Sequence, residues 1–196
     1  MTDAAIDVMT GQLRPFIEEI DAIVRAAGGE REIVDGVAEA LRRTLASGLD
    51  VAPAYQEPNT EHYVMYPLYI APDESFCIAC AVWNTGQITP IHDHSVWGVV
   101  GIVSGIEHEE TFQPGGDTAN GLTVGPVEDF TPGEVTVCCT TDQDVHRVSS
   151  GSDAPCVGIH VYGGDIWKVN RRSYAADTGE ISYFMSSMPL QPAIPA

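Results

Sequence analysis

The chain has 196 residues, 44% of them hydrophobic, which is enough for one domain with a core of its own. Twenty-eight acidic against nine basic residues give a net charge of −19, a surface that repels nucleic acid and anionic membranes, so neither is expected as a partner. No apolar run reaches the roughly 20 residues needed to cross a bilayer, and "MTDAAIDVMTGQLRPF" lacks the basic start and apolar segment of a secretory signal, so a cytoplasmic protein is expected.

Residues 1–50 read as helical. In "QLRPFIEEIDAIVRAA", Leu13, Phe16, Ile17, Ile20, Ile23 and Val24 fall on one stripe, and Gly28-Gly29 marks a stop. "EREIVDGVAEALRRTLASG" repeats the pattern through Ile33, Val34, Val37, Leu41 and Leu45 and ends at Gly48. Both helices are expected to pack on the remainder of the chain, residues 51–196, which makes up the larger part of a single domain.

From Tyr63 onward the texture is β. "HYVMYPLYI", "SFCIACAVW", "SVWGVVGIVSG", "EHEETFQP", "EDFTPGEVTVCCTT", "HRVSS" and "CVGIHVYGGD" are short runs broken by Pro, Gly, Asn and Asp, the pattern of an all-β sandwich or barrel. Gly115–Gly125 reads as a hairpin loop, and the Ser/Pro-rich stretch after Tyr174 as an extended tail on the surface. The five cysteines (Cys77, Cys80, Cys138, Cys139, Cys156) are odd in number. Two residues three apart on a strand face opposite sides, so "CIAC" reads as free core thiols.

Of six histidines, His62 and His108 sit among polar neighbours and are expected at the surface. His92 and His94, in "GQITPIHDHSVWGVVGIVSG", would share one face of a strand with Asp93 turned away. With the distant His146 in "DQDVHRVSS" they form the ligand set of a jelly-roll metal site. Three neutral imidazoles leave a divalent charge uncompensated and coordination places free, whereas zinc would favour a closed tetrahedron or a hydrolytic site.

Gly86, five residues, His92-Asp93-His94 and then Gly105 follow the spacing G-x5-H-x-H-x3-E-x6-G of the first cupin motif, with Gly98 where that motif has glutamate. The second motif is weaker: His146 is present, Ser150 replaces its asparagine, and the P-x-G before the histidine is absent. With "TPIHDHSVWGVVGIVSG", "DVHRVSS" and "IHVYGGDI", the stretch from Tyr63 to Arg172 resembles the thiol dioxygenase branch of the cupins, the cysteine and 3-mercaptopropionate dioxygenases. The resemblance implies a mainly β fold, a cupin double-stranded β-helix (jelly-roll barrel) with an N-terminal helical segment. It further implies Fe(II) held by His92, His94 and His146, O2 as cosubstrate, and conversion of a small thiol to a sulfinate.

That family writes a serine–histidine–tyrosine relay as S-x-H-x-Y. Here His160 and Tyr162 match and Gly158 stands for the serine. The mercaptopropionate type holds its substrate carboxylate with an arginine nine residues after the tyrosine, which is Arg171, with Arg172 as the neighbouring candidate and Trp97 as a further substrate-binding residue. The cysteine that crosslinks to the tyrosine in animal-type enzymes has Gly98 at or near its place, so no crosslink is expected. Two other readings stay open: a variant cupin that uses Ni2+ or another divalent metal and oxidises or cleaves at carbon as well, and a metal-binding cupin without turnover. A monomer or small homo-oligomer is expected.

Overall fold

A computed structural model describes residues 2–114, 121–142 and 144–196. Helices α1 (Thr2–Ala26) and α2 (Glu30–Ala46) form where the apolar stripes predict them. Glu30 and Glu32 stand in the first turn of α2 and Arg43 in its last, each favourable to the helix dipole. Gly48 follows with φ +82°, a left-handed conformation that a side chain would disfavour.

Among the described residues there are eleven strands, in chain order β1 (Val64–Ile70), β2 (Cys77–Trp83), β3 (Ile91–His92), β4 (Gly98–Ser104), β5 (Glu107–Pro114), β6 (Leu122–Phe130), β7 (Val135–Cys138), β8 (His146–Ser150), β9 (Cys156–Tyr162), β10 (Arg171–Tyr174) and β11 (Ile181–Phe184). They build two sheets, ordered β1-β2-β9-β4-β7 and β11-β10-β3-β8-β5-β6, with every pairing antiparallel. The nested orders β2-β9-β4-β7 and β3-β8-β5-β6 are those of a jelly roll, the double-stranded β-helix that the cupin resemblance implies.

The inner strands β2 and β9 of the first sheet are buried on both faces, which is why "SFCIACAVW" reads as continuous apolar sequence. Ile78, Cys80 and Val82 on β2, with Ile159 and Val161 on β9, pack into a cluster with Leu13, Phe16, Ile20, Val37 and Leu41 of the helices. The alternate residues Cys77, Ala79, Ala81 and Trp83 join Val100, Ile102 and Tyr162 inside the barrel. Cys77 and Cys80 therefore face opposite ways, and all five cysteines are buried thiols outside any disulfide. Burial pushes the thiols of Cys77 and Cys156 up to about 12, so they are inert at neutral pH.

Helix α2 lies against β4 at Gly101, where a Cβ would come within 2.8 Å of both Leu41 Cδ2 and Leu45 Cδ1. Gly101→Val is therefore expected to lower stability by about 1–3 kcal/mol through overpacking, seen as a lower urea midpoint with an unchanged slope.

The structure departs from the sequence reading in three places. Leu122–Gly125 belong to β6 rather than to a loop, pairing back onto Phe112–Pro114, while residues 115–120 lie outside the described residues. The stretch after Tyr174 is not only a surface tail. It carries β11, and Ile194 is 2% exposed with its N–H donating to Leu68 O at 2.9 Å. The strand carrying His92 ends there, because Ser95 at φ 58° turns the chain, and His94 comes after the strand rather than sitting on it.

Candidate metal centre

Strand pairing brings distant histidines together. His92 and His146 are direct register partners across β3 and β8, and their ring centroids lie 4.8 Å apart. His94, just past β3, completes a triangle with centroid distances of 5.1 Å to His92 and 4.9 Å to His146. One ring nitrogen of each lies within 4.8 Å of the others, and all three residues are buried.

Each ring has an oxygen at Nδ1. The Nδ1 of His92 lies 2.9 Å from Pro90 O, that of His94 lies 3.3 Å from Asp144 Oδ2, and that of His146 bonds the Glu109 carboxylate. This leaves Nε2 for an ion, the arrangement in which an outer acceptor fixes tautomer and ring orientation. The buried Nε2 of His146 has no hydrogen-bond partner, so a cation at the triangle's centre satisfies an otherwise costly atom.

Burial and the neighbouring imidazoles hold His92 and His94 well below the usual histidine range, in the neutral form that binds metals. Burial would lower His146 too, but its bond to Glu109 and the nearby carboxylates raise it. Burial lifts Asp144 to about 6. A second group, His94 with Cys138 and Asp144, shares a member with the first. Asp144 already serves His94 as a hydrogen-bond acceptor, so of the two groups that could hold an ion the three imidazoles are the one whose ligand atoms are left free.

Among the described residues no carboxylate joins the three-histidine group, in keeping with Gly98 at the glutamate position. Gly98 lies between Cys138 and Tyr162 in the sheet, and its missing side chain leaves the phenol ring room: a Cβ there would stand 3.4 Å from Tyr162 Cδ1.

The cavity around the histidines is also lined by Tyr63, Trp83, Glu107, Glu109, His160, Tyr162 and Arg171, with Met65, Val100 and Val148 as its apolar walls. His160 and Tyr162 share the inward face of β9, and Nδ1 of His160 lies 2.9 Å from Tyr162 Oη. The Tyr162 ring is 5.1 Å from that of His94, which places the phenol beside the ion site. Arg171 starts β10 and is 1% exposed. Its guanidinium lies over the Phe184 ring at 4.5 Å and donates to Ser186 Oγ, while Nε has no partner.

Two expected substrate residues lie elsewhere. Arg172, next along β10, points to the other side and pairs with Asp93 at 2.6 Å. Asp93 also accepts from Tyr174 Oη at 2.7 Å, so the residue between the two histidines braces the hairpin rather than the cavity. Trp97 packs into the helix-side core and does not line the cavity. Its indole occupies the space where a Cβ on Gly163 would come within 2.2 Å of Nε1.

The sequence reading missed Glu107, Glu109 and Asp144, together with Tyr63 and Ser186 around Arg171. The available signal was alternation in "EHEE". A strand there turns Glu107 and Glu109 inward while His108 and Glu110 face outward to Asp129 and Arg147. Two carboxyls on the buried face break the usual pattern, and such breaks cluster at functional sites.

No family model matches the chain. Among solved structures it is similar to a protein with a double-stranded β-helix domain from Klebsiella pneumoniae, at 12% identity over 68% of this chain and 92% of that one, TM-score 0.45. It is also similar to a chain from the crystal structures of the DMSP lyases RdDddP and RnDddQII, at 14% identity over 89% and 100%, TM-score 0.49. A third is the ectoine synthase from P. lautus, at 16% identity over 61% and 75%, TM-score 0.41. The double-stranded β-helix is assigned by this chain's own strand order.

Proposed function

We propose that the protein is a thiol dioxygenase that oxidises a small mercapto-carboxylate, such as 3-mercaptopropionate or cysteine, to its sulfinate. The observation that carries this reading is the placement of Arg171. It is a buried guanidinium in the same cavity as the three imidazoles, and among the described residues no carboxylate pairs with it. A buried cation without a counter-ion is costly and calls for an anionic ligand.

Bound at His92, His94 and His146, Fe(II) would supply the redox chemistry that joins O2 to sulfur. Arg171 pairs the substrate carboxylate through its planar fork and so fixes the distance of the thiol from the imidazoles. Trp83, Met65, Val100 and Val148 keep water from the thiolate. Tyr162, anchored by His160, directs its hydroxyl to the reacting end of the substrate. The balance is one thiol plus one O2 giving one sulfinic acid. The O–O bond breaks, two S–O bonds form, and sulfur gives up four electrons.

The test is oxygen uptake by iron-loaded protein with a panel of thiols, with the products identified by mass spectrometry. Uptake that depends on a carboxylated thiol, with the sulfinate as product, is expected. Absence of any thiol-dependent uptake overturns the reading. Arg172, engaged with Asp93, lies outside this chemistry. Arg172→Ala is expected to leave KM nearly unchanged, because Arg172 does not line the cavity, while lowering the melting temperature because the buried Asp93 loses its cation.

A further inference from the structure

One group of side chains in the cavity is not used by the ion site. Glu107, on β5, is 1% exposed, and its Oε2 lies 3.9 Å from Nε2 of His160. Neither atom has a hydrogen-bond partner. On the far side of the imidazole, Nδ1 lies 2.9 Å from Tyr162 Oη. The strand position that looks onto the orphaned nitrogen is residue 158, since a Cβ there would stand 3.0 Å from Nε2. Glycine offers that nitrogen nothing to bond.

We propose that Glu107 is the positioning residue of the His160–Tyr162 pair: its carboxyl bonds Nε2 of His160 and so decides which ring nitrogen carries the proton and which way the Tyr162 hydroxyl points. A change in the glutamate side-chain torsions closes 3.9 Å to the ordinary bonding distance of about 2.8 Å. Two buried polar atoms with no other partner each satisfy the other.

The direction of the bond is set by the surroundings. Burial and the adjacent Glu109 push Glu107 up to about 8, and burial with His146 pushes His160 down to about 3. At neutral pH the carboxyl therefore keeps its proton and donates it to Nε2. The single imidazole hydrogen then sits on Nδ1 and is donated to the Tyr162 oxygen. The tyrosine's own hydrogen is left to face the cavity, as a donor to whatever occupies it. This assignment rests on the thiol dioxygenase reading only in taking that occupant to be the thiol and O2.

The experiment is a long-range 1H–15N correlation spectrum of the full-length labelled chain at neutral pH, with the His160 ring signals assigned by their loss in His160→Gln. The expected spectrum shows Nδ1 protonated and Nε2 bare. Glu107→Gln, whose amide N–H also donates, keeps that pattern. Glu107→Ala loses it, giving nitrogens averaged between the two tautomers, and Glu107→Ala combined with Gly158→Ser restores it by placing a hydroxyl beside Nε2. A wild-type spectrum with Nε2 protonated, or a Glu107→Ala spectrum showing the wild-type tautomer, overturns the proposal. Should Glu107→Ala fail to fold, Glu107→Met, close in size and without a donor, makes the same comparison. The spectrum needs no thiol or oxygen, so its failure is distinct from failure of the oxygen-uptake test.

Discussion

His146→Ala is expected to abolish both tight divalent metal binding and thiol-dependent oxygen uptake. The substitution removes one of three nitrogens and also leaves the Glu109 carboxylate, 8% exposed, without its imidazole partner. Metal affinity measured by titration should fall further than the roughly 10- to 100-fold loss typical when a group behind a ligand is removed. Glu109→Gln supplies that comparison. It keeps an acceptor at Nδ1 but loses the charge, so affinity should fall within that range while the metal-loaded protein still turns over. Far-ultraviolet circular dichroism checks that the barrel persists in both. Wild-type metal content and turnover in His146→Ala would remove the three-imidazole site altogether.

Arg171→Gln carries the second large effect. A hydrogen bond to a charged group contributes about 1.5–3 kcal/mol, so KM for a mercapto-carboxylate should rise roughly 10- to 150-fold. The discriminating control is a thiol of similar size without a carboxylate, for which KM should be nearly the same in wild type and variant. Equal losses on both thiols would mean that Arg171 only holds the hairpin against Phe184 and Ser186. No loss on either would mean that the carboxylate lies elsewhere. Glutamine is preferred to alanine because it leaves less of a void at a fully buried position.

Much of the architecture is legible in the residues. The helix stripes show because each helix presents one apolar face, and β2, β4 and β9 show because they are covered on both sides. The His-x-His spacing does suggest a strand, but β3 stops at His92. Strands β10 and β11 escape notice because they are only four residues long, and "RRSY" is polar. Only the Glu128–Phe130 end of β6 falls within a run read as β; its first part is hidden because this is an edge strand, largely exposed, with no apolar alternation to mark it.

At the site, His92, His94, His146, His160 and Tyr162 are readable because their spacings are local signatures. Arg171 and Arg172 look alike in the chain. The family spacing favours Arg171, and the register of β10, with Ser173 opposite His92 and Arg172 opposite Tyr183, turns that guanidinium into the barrel. Glu107 and Glu109 resemble ordinary surface acids in a chain with 28 of them; alternation in "EHEE" pairs them on one face, but that this face is the buried one shows when β5 is seen beside β8.

The hairpin formed by β10 and β11 flanks β3 on the side away from β8, and it bears Arg171 at its first residue. Unzipping it would strip His92 of a backbone neighbour and withdraw the guanidinium in one movement. If the proposed ion and anionic substrate bind there, one local opening equilibrium would govern the retention of both. Amide exchange in the 171–174 segment would clock both losses at once.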